Sequence, residues 1–241
     1  MDEFPAVDLS QIQAGSLSIT PRFLPVSLLA RLRSDASQLH AAGAFTTGGV
    51  GGRTERLVRT TTDQQQTRLC DICGLFDDAL QVPSHIGEKD AREELFDLMA
   101  DLRGLLRTTL GRSLGEQLEL QYLRYPGDDD AKGHYGRHVD HAASDDAHDI
   151  VRSVSLIIYL NDETWDADKD GGLLIAYPRG KPPQQVSPEG GTLVLFDSKT
   201  VEHEVLATNR ERLAVVGWFM EPGRRRRPRA KSRSRKKQRK K

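Results

Sequence analysis

The chain has few cysteines, few aromatic residues and no long apolar run. Its 241 residues include two cysteines, and 6% of them are aromatic. Two cysteines cannot form the disulfide framework of a small secreted domain, and the first residues show neither the basic nor the apolar part of an export signal. No apolar run approaches the roughly 20 residues that a membrane-spanning helix needs. We therefore expect an intracellular protein that does not contact a membrane.

Net charge is absent as well, but only as an average over two unlike parts. Basic and acidic residues number 35 each, yet residues 224–241 hold 13 basic residues and no acid, which leaves a net charge of −13 on the rest. A segment this basic has too few apolar residues to form a core. We therefore expect a disordered tail over residues 223–241. It is typical of a nuclear address or of an electrostatic contact with RNA or the ribosome, or it folds back on the acidic body. Both nucleus and cytoplasm are therefore expected locations.

Two amphipathic patterns predict helices. Apolar residues recur at three- and four-residue spacing over residues 23–40 and again over residues 91–110. Asp90 and Glu93 have the spacing of a capping box at the start of the second helix. Gly111 is placed to end that helix, because glycine readily adopts the left-handed conformation found there.

The texture changes after residue 115. Short runs rich in β-branched and aromatic residues alternate with Gly, Pro and Asp clusters, which is typical of an antiparallel sandwich or barrel. These runs cover residues 118–125, 151–160, 171–177, 191–196 and 213–219. We expect a mainly β fold with flanking helices, preceded by a loose lead-in over residues 1–19.

A pair of metal-ligating side chains occurs at His138 and Asp140. Residues two apart in a strand point to the same side, so the imidazole and the carboxylate can aim at one point. His203, just past the 191–196 run, offers a third ligand. Two imidazoles and one carboxylate on adjacent positions form the facial arrangement of non-haem Fe(II), whose remaining positions stay open for a co-substrate and O₂.

A buried cation is expected beside this group. Arg212 opens the last apolar run and shares one face of it with Trp218. A lone guanidinium among apolar residues favours a carboxylate bound through two hydrogen bonds. Tyr159 could present its hydroxyl to the same carboxylate. A metal on one side and these groups on the other suit a small dicarboxylate that chelates iron at one end.

The residues alone leave a plainer interpretation open. A His-x-Asp spacing often arises by chance, and four histidines among acids over residues 134–148 suit a solvated loop. The distal His203 and Arg212, both placed on or beside expected strands, favour the metal site.

The ordered set of these motifs resembles the Fe(II)/2-oxoglutarate-dependent prolyl hydroxylases, above all their intracellular hypoxia-inducible-factor branch. The likeness covers roughly residues 20–221. It is carried by Tyr125-Pro126-Gly127, Tyr135, Arg137-His138-Val139-Asp140, Arg152, Tyr159-Leu160-Asn161, Trp165, Gly171-Gly172-Leu173, His203-Glu204-Val205, Arg212 and Trp218.

The resemblance implies a double-stranded β-helix (jelly roll) buttressed by N-terminal helices, with the dioxygenase domain over residues 20–222. The implied Fe(II) ligands are His138, Asp140 and His203. The implied 2-oxoglutarate pocket is formed by Arg212, Tyr159, Tyr125 and Trp218. No side chain beyond the iron centre is expected to act as acid or base.

The implied activity is hydroxylation of prolyl residues in an intracellular protein. It would consume O₂ and 2-oxoglutarate, release succinate and CO₂, and be supported by ascorbate. Two alternatives stay open: a nucleic-acid demethylase with the same iron chemistry, and an inactive jelly-roll binding module. The demethylases typically carry a second arginine six residues after the first, where this chain has Trp218, and the complete ligand set argues against an inactive module.

Three further segments lead to hypotheses. Acidic stretches at residues 127–134 and 145–149 flank the expected mouth of the site and favour a basic substrate segment. The glycine-rich stretch over residues 46–62 is a candidate lid. Cys70 and Cys73 have no second ligand pair for zinc, so we interpret them as ordinary partly buried thiols. The remaining histidines are expected at the surface or behind the ligands.

Overall fold

The structure is a computed structural model that describes residues 6–47, 68–76, 85–128, 132–141, 150–162 and 164–223. Within these ranges the helices are α1 (Ser10–Gln13), α2 (Val26–Ala41), α3 (Lys89–Leu110) and α4 (Ala167–Asp170). No helix in these ranges is long and apolar enough to cross a membrane. The tail over residues 224–241, nearly all of the candidate lid and most of the two acidic stretches lie outside the described residues.

Two antiparallel sheets face each other. The strands are β1 (Ser18–Thr20), β2 (Thr46–Thr47), β3 (Arg68–Leu69), β4 (Asp71–Gly74), β5 (Leu118–Tyr125), β6 (His134–His138), β7 (Ile150–Tyr159), β8 (Leu174–Tyr177), β9 (Gln184–Val186), β10 (Leu193–Asp197), β11 (Glu202–Val205) and β12 (Arg212–Pro222). The larger sheet has the order β1-β10-β7-β12-β5-β4-β2, and the smaller has the order β3-β6-β11-β8-β9. This arrangement confirms the predicted jelly roll with flanking helices.

The larger sheet is buried on both of its faces. On one face, Leu156, Ile158 and Val215 belong to the core that includes the apolar sides of α2 and α3. On the other face, the intervening Ile157 and Tyr159 pack toward the smaller sheet. Because side chains alternate across a strand, central strands buried on both faces read as continuous apolar runs. The five predicted runs accordingly correspond to β5, β7, β8, β10 and β12.

The two predicted helices are present, with corrected starts. Pro25 directly precedes α2, and a residue before proline is disfavoured in helical conformation, so the helix does not reach back to residue 23. The capping box is wrong: α3 begins at Lys89, no side chain caps it, and Asp90 lies inside its first turn. In that turn, the negative charge of its carboxylate still interacts favourably with the positive end of the helix dipole. Gly111 ends the helix at φ 62° as predicted.

The loose lead-in expected over residues 1–19 needs correction in its described part. Leu9 and Ile12, at the start of and within α1, are each 3% exposed and belong to the helix-side core. Ser18 and Ile19 of β1 pair with β10 at the edge of the larger sheet. A four-residue helix and a three-residue strand are too short to show a periodic pattern, so neither can be predicted from the spacing of apolar residues.

A buried ion pair joins the helices to the larger sheet. Asp35 of α2 is fully buried and accepts a hydrogen bond from Arg92 of α3, which is 4% exposed. The Tyr122 hydroxyl of β5 donates to the second oxygen of the Asp35 carboxylate at 2.7 Å, and the Glu88 backbone N–H donates to the first. Both carboxylate oxygens are therefore satisfied, by donors from α3, from the residue that precedes it and from β5.

Removing the guanidinium should expose the strength of this pair. We expect Arg92→Leu to lower the free energy of unfolding by about 3–5 kcal/mol, because it leaves a buried carboxylate without its countercharge. Arg31→Leu is the matched control, since it breaks a half-exposed pair with Glu94 and should cost less than about 1 kcal/mol. Urea unfolding of both variants measures the difference, and equal losses would show that the buried pair is not a special support.

Candidate metal centre

The pairing of β6 with β11 brings two histidines together. His138 ends β6 and lies directly opposite His203 in β11. Their imidazole rings are 4.2 Å apart between centroids. The rings of Phe196 and His203 pack in a T-shaped arrangement with centroids 4.7 Å apart, and Tyr135 stacks on His138 with centroids 3.6 Å apart, so aromatic neighbours hold both imidazoles. Cross-strand partners on one face of a sheet are expected to interact in this way.

Asp140 completes the cluster two residues beyond β6. Its Oδ1 lies 3.5 Å from Nε2 of His138 and 3.9 Å from Nε2 of His203. One ligand atom from each of the three side chains lies within 4.8 Å of the others. The Nδ1 atoms of the two histidines meet the carbonyls of Gly136 at 2.8 Å and Val201 at 3.3 Å. These contacts assign the ring proton to Nδ1, so the lone pair of each Nε2 faces the cluster.

The protonation states of this cluster suit a cation. Burial acts to raise the pKa of the Asp140 carboxyl, but His203, His138 and the Ser155 hydroxyl outweigh it and hold the pKa below its ordinary value. Burial holds the pKa of His203 below its ordinary value, against the opposing charge of Asp140. At neutral pH, the carboxylate is therefore ionised and the His203 imidazole is neutral, which are the forms that bind metals.

Arg212 is a buried guanidinium with unused donors. It is 1% exposed, and its Cζ atom lies 4.9 Å from the Tyr125 ring centroid and 5.0 Å from that of Tyr159. Within the described part of the chain, Nε and Nη2 of Arg212 and the hydroxyl of Tyr159 have no hydrogen-bond partner. Burial raises the pKa of both tyrosines, so each hydroxyl keeps its proton and can donate. An anion would satisfy these donors.

Glycines make room for this arginine. Gly172 has φ +69°, and a Cβ atom there would lie 3.1 Å from Cδ of Arg212 and 3.1 Å from Oγ1 of Thr208. In the Tyr-Pro-Gly motif, a Cβ atom on Gly127 would collide with the backbone of Arg210. Both glycines are therefore needed where the chain approaches the Arg212 strand closely.

Trp218 of β12 lies directly opposite Ser155 of β7 in the larger sheet. It is 6% exposed, and its indole N–H finds no acceptor among the described residues. Arg152 stacks on the indole ring at 3.5 Å and pairs with Glu119 at 2.6 Å. Arg152 thus covers the face of the indole ring, and the indole N–H stays available to a ligand.

Several residues that shape the site carried no recognisable signal in the sequence. Ser155 and Ser198 are fully buried and hydrogen-bonded to each other, and Ser155 also bonds to Asp140. Arg68, in a strand that the sequence did not predict, stacks on Tyr135 at 4.5 Å. The only available clue was a polar residue within an otherwise apolar run, and serine is common enough in strands to make that clue weak.

The two cysteines form no disulfide and lie in the two cores on either side of the larger sheet. Cys70 belongs to the core between the sheets and Cys73 to the core on the helix side. Burial raises the pKa of the Cys73 thiol to about 11 and also raises that of Cys70. The sequence predicts partly buried thiols, but both lie in the core, with Cys70 1% and Cys73 2% exposed.

Comparison with known proteins points to one family. The sequence profile of the 2OG-Fe(II) oxygenase superfamily matches residues 120–220. The chain is 34% identical over 114 residues to "Hypoxia-inducible factor prolyl hydroxylase" of Caenorhabditis elegans, a match that covers 46% of this chain and 14% of that protein. It is 28% identical over 207 residues to "Egl nine homolog 1" of Mus musculus, covering 83% of this chain and 46% of that protein. The chain thus spans less than half the length of these curated relatives.

A solved structure is similar over nearly its whole length. The prolyl-4-hydroxylase of Pseudomonas putida aligns with a TM-score of 0.69 at 27% identity, and the alignment covers 89% of this chain and 97% of that one. The architecture of two facing sheets with helices on one side is therefore shared with this prolyl-4-hydroxylase.

The contact between Gly172 and Arg212 can be tested by adding one methyl group. We expect Gly172→Ala to lower the free energy of unfolding by about 1–3 kcal/mol more than Gly180→Ala, because the new methyl group overpacks against Arg212 and Thr208. Gly180 is a matched control with φ +73° and no heavy atom within 4 Å of its added Cβ, so it carries the backbone penalty alone. Chemical denaturation gives both values; equal losses would contradict the contact.

Proposed function

We propose that the chain is a member of the 2OG-Fe(II) oxygenase superfamily, whose profile matches residues 120–220, and that it is a dioxygenase that hydroxylates prolyl residues of a protein. The observation that carries this proposal is the pairing of a His-Asp-His cluster with a buried arginine, whose Nε and Nη2 have no acceptor among the described residues. The first suits a divalent metal ion, and the second suits the far carboxylate of a chelating co-substrate.

The residues present fit Fe(II). His138, Asp140 and His203 would hold it through two imidazole nitrogens and one carboxylate oxygen, which is the donor set of non-haem iron oxygenases. The hydrogen bonds from the Nδ1 atoms to backbone carbonyls orient both rings toward one point. Three protein ligands on adjacent positions leave the others open for co-substrate and O₂.

The residues present also fit 2-oxoglutarate. Arg212 and Tyr159 would bind its far carboxylate, because Nε and Nη2 of the buried guanidinium lack an acceptor among the described residues and a carboxylate would satisfy them with charge-assisted hydrogen bonds. Tyr125 would support the same end of the pocket by its ring contact with Arg212. Trp218, with its unused N–H, would line the opposite side.

When bound, Fe(II) and 2-oxoglutarate supply the O₂-dependent oxidation that adds a hydroxyl group to the substrate and releases succinate and CO₂. The chain's own residues bind, orient and exclude water. The rings of Phe196 and Tyr135 pack against the two imidazoles and keep that side of the cluster apolar. No further side chain is assigned a proton-transfer role, and ascorbate is expected to support turnover by keeping the iron reduced.

The similar proteins support the choice of a prolyl residue as the substrate. Both a prolyl hydroxylase of hypoxia-inducible factor and a prolyl-4-hydroxylase are similar to this chain, so we propose an intracellular protein with a target proline as substrate. A basic segment around that proline stays a prediction, since Asp128 is the single acidic residue of the stretch 127–134 that the structure describes. Contact of the tail with RNA, the ribosome or the nuclear import machinery is likewise a prediction, as is the division between nucleus and cytoplasm.

A panel of substrates separates this function from its alternatives. Purified protein with Fe(II), ascorbate and 2-oxoglutarate should form succinate when given a proline-containing peptide, and mass spectrometry should find one added oxygen on proline. His138→Ala should abolish both signals because it removes a metal ligand. Stimulation by methylated oligonucleotides alone would instead indicate a demethylase. Absence of any turnover or metal binding would favour an inactive module.

The role of Arg212 predicts that its removal impairs the use of 2-oxoglutarate without lowering the stability of the ligand-free protein. We expect Arg212→Met to raise the 2-oxoglutarate concentration needed for half-maximal rate by about 10–100-fold, through loss of hydrogen bonds to a charged group. The ligand-free protein should not lose stability, because the variant removes a buried cation with unused donors. Steady-state kinetics and thermal unfolding measure the two effects. Arg210→Met is the control: its ion pairs are partly exposed, and its 2-oxoglutarate requirement should be unchanged. A normal requirement in Arg212→Met would refute the assignment.

A further inference from the structure

Hydrogen bonds link the Asp140 carboxylate to Ser155, Ser155 to Ser198, and Ser198 back to the residue after Asp140. Its Oδ1 faces the two imidazoles, while its Oδ2 accepts a hydrogen bond from the Ser155 hydroxyl at 2.6 Å. The Ser155 oxygen lies 2.8 Å from the hydroxyl of Ser198. The backbone carbonyl of Ser198 accepts from the N–H of His141, the residue after Asp140, at 3.0 Å. Side chain and backbone of the Asp140 segment are thus held by the same two serines.

The direction of the hydroxyl protons follows from counting them. A serine hydroxyl has one proton to donate, and Ser155 uses its proton on the Asp140 carboxylate, which can only accept. Ser198 must therefore donate to Ser155. Such a chain polarises each successive bond toward the carboxylate. Both serines are fully buried, so water does not compete for these bonds.

The position of Ser198 is itself fixed from several sides. Its N–H donates to the carbonyl of Ser153 in β7 at 3.1 Å. The preceding Asp197 accepts from the backbone N–H groups of Lys199 and Thr200, each at 3.0 Å, and forms an ion pair with Arg112. This turn leads directly into β11, which carries His203. Ser198 therefore links the segment of one candidate ligand to the strand of another.

We propose that Ser155 and Ser198 are positioning residues that hold Asp140 so that Oδ1 alone is offered to the metal. This inference rests on the proposed metal site. Occupying Oδ2 with a hydroxyl donor favours a carboxylate that takes one coordination position instead of two, which leaves room for the co-substrate. Groups that orient metal ligands in this way typically contribute 10–100-fold to metal affinity.

Metal affinity measured without turnover tests the proposal. Mn(II) binding to the full chain, followed by electron paramagnetic resonance, should be about 10–100-fold weaker in Ser155→Ala. Ser198→Ala should weaken it less, because the Ser155 donation remains. The double variant should match Ser155→Ala, since the two hydroxyls act in series. Ser153→Ala is the matched control: Ser153 is fully buried and donates to Glu221 at 2.9 Å, not to Asp140, so Mn(II) affinity should stay within about twofold of wild type.

Each outcome bears on one claim. Mn(II) affinity in Ser155→Ala within about twofold of wild type, or an equal loss in Ser153→Ala, would overturn the positioning role. Losses that add in the double variant would overturn the series arrangement. If circular dichroism shows that Ser155→Ala does not fold, Ser198→Ala decides. A Mn(II) affinity equal to wild type contradicts the positioning role, and a loss greater than that of Ser153→Ala supports it. Failure of the wild-type chain to bind Mn(II) would instead refute the proposed metal site.

Discussion

The antiparallel pairing of β6 with β11 is the constraint on which the candidate site depends. It places His138 opposite His203 although the two lie far apart in the chain. Asp140 reaches the same point because it follows β6 by two residues, and Arg212 enters from the facing sheet at the start of β12. Positions on paired strands with locked neighbours provide the precision that a metal site requires.

Two buried arginines illustrate how the molecule separates stability from function. Arg92 meets Asp35, whose carboxylate is also bonded by Tyr122, so that cluster is complete within the protein. Arg212 lies between Tyr125 and Tyr159, and its Nε and Nη2 have no acceptor in the part of the chain that the structure describes. Burying a charge without a partner is unfavourable, and such local violations of packing rules are expected where a ligand completes the structure. The burial of Arg212 without an acceptor for two of its nitrogens supports the proposed binding site, whereas the paired burial of Arg92 ties the helices to the larger sheet.

The parts of this structure that the sequence predicted are those with a strong physical signature. Strands buried on both faces read as apolar runs, and the histidines and aspartate stand out by residue type. The strands β3, β6 and β11 carry polar side chains toward the site or solvent and show no such run. Ser155 and Ser198 could not be identified either, because their role depends on which oxygen each hydroxyl meets after the sheets have formed. The capping box failed because local spacing does not fix where a helix begins when packing also contributes.

The central claim is that three side chains bind one metal ion while Arg212 receives the co-substrate. A crystal structure of the chain with Mn(II) and 2-oxoglutarate tests it most directly. We expect electron density for one ion bonded to Nε2 of His138, Oδ1 of Asp140 and Nε2 of His203, with the far carboxylate of 2-oxoglutarate on Arg212. An ion held by other residues, or a 2-oxoglutarate molecule that leaves Arg212 without an acceptor, would contradict the assignment.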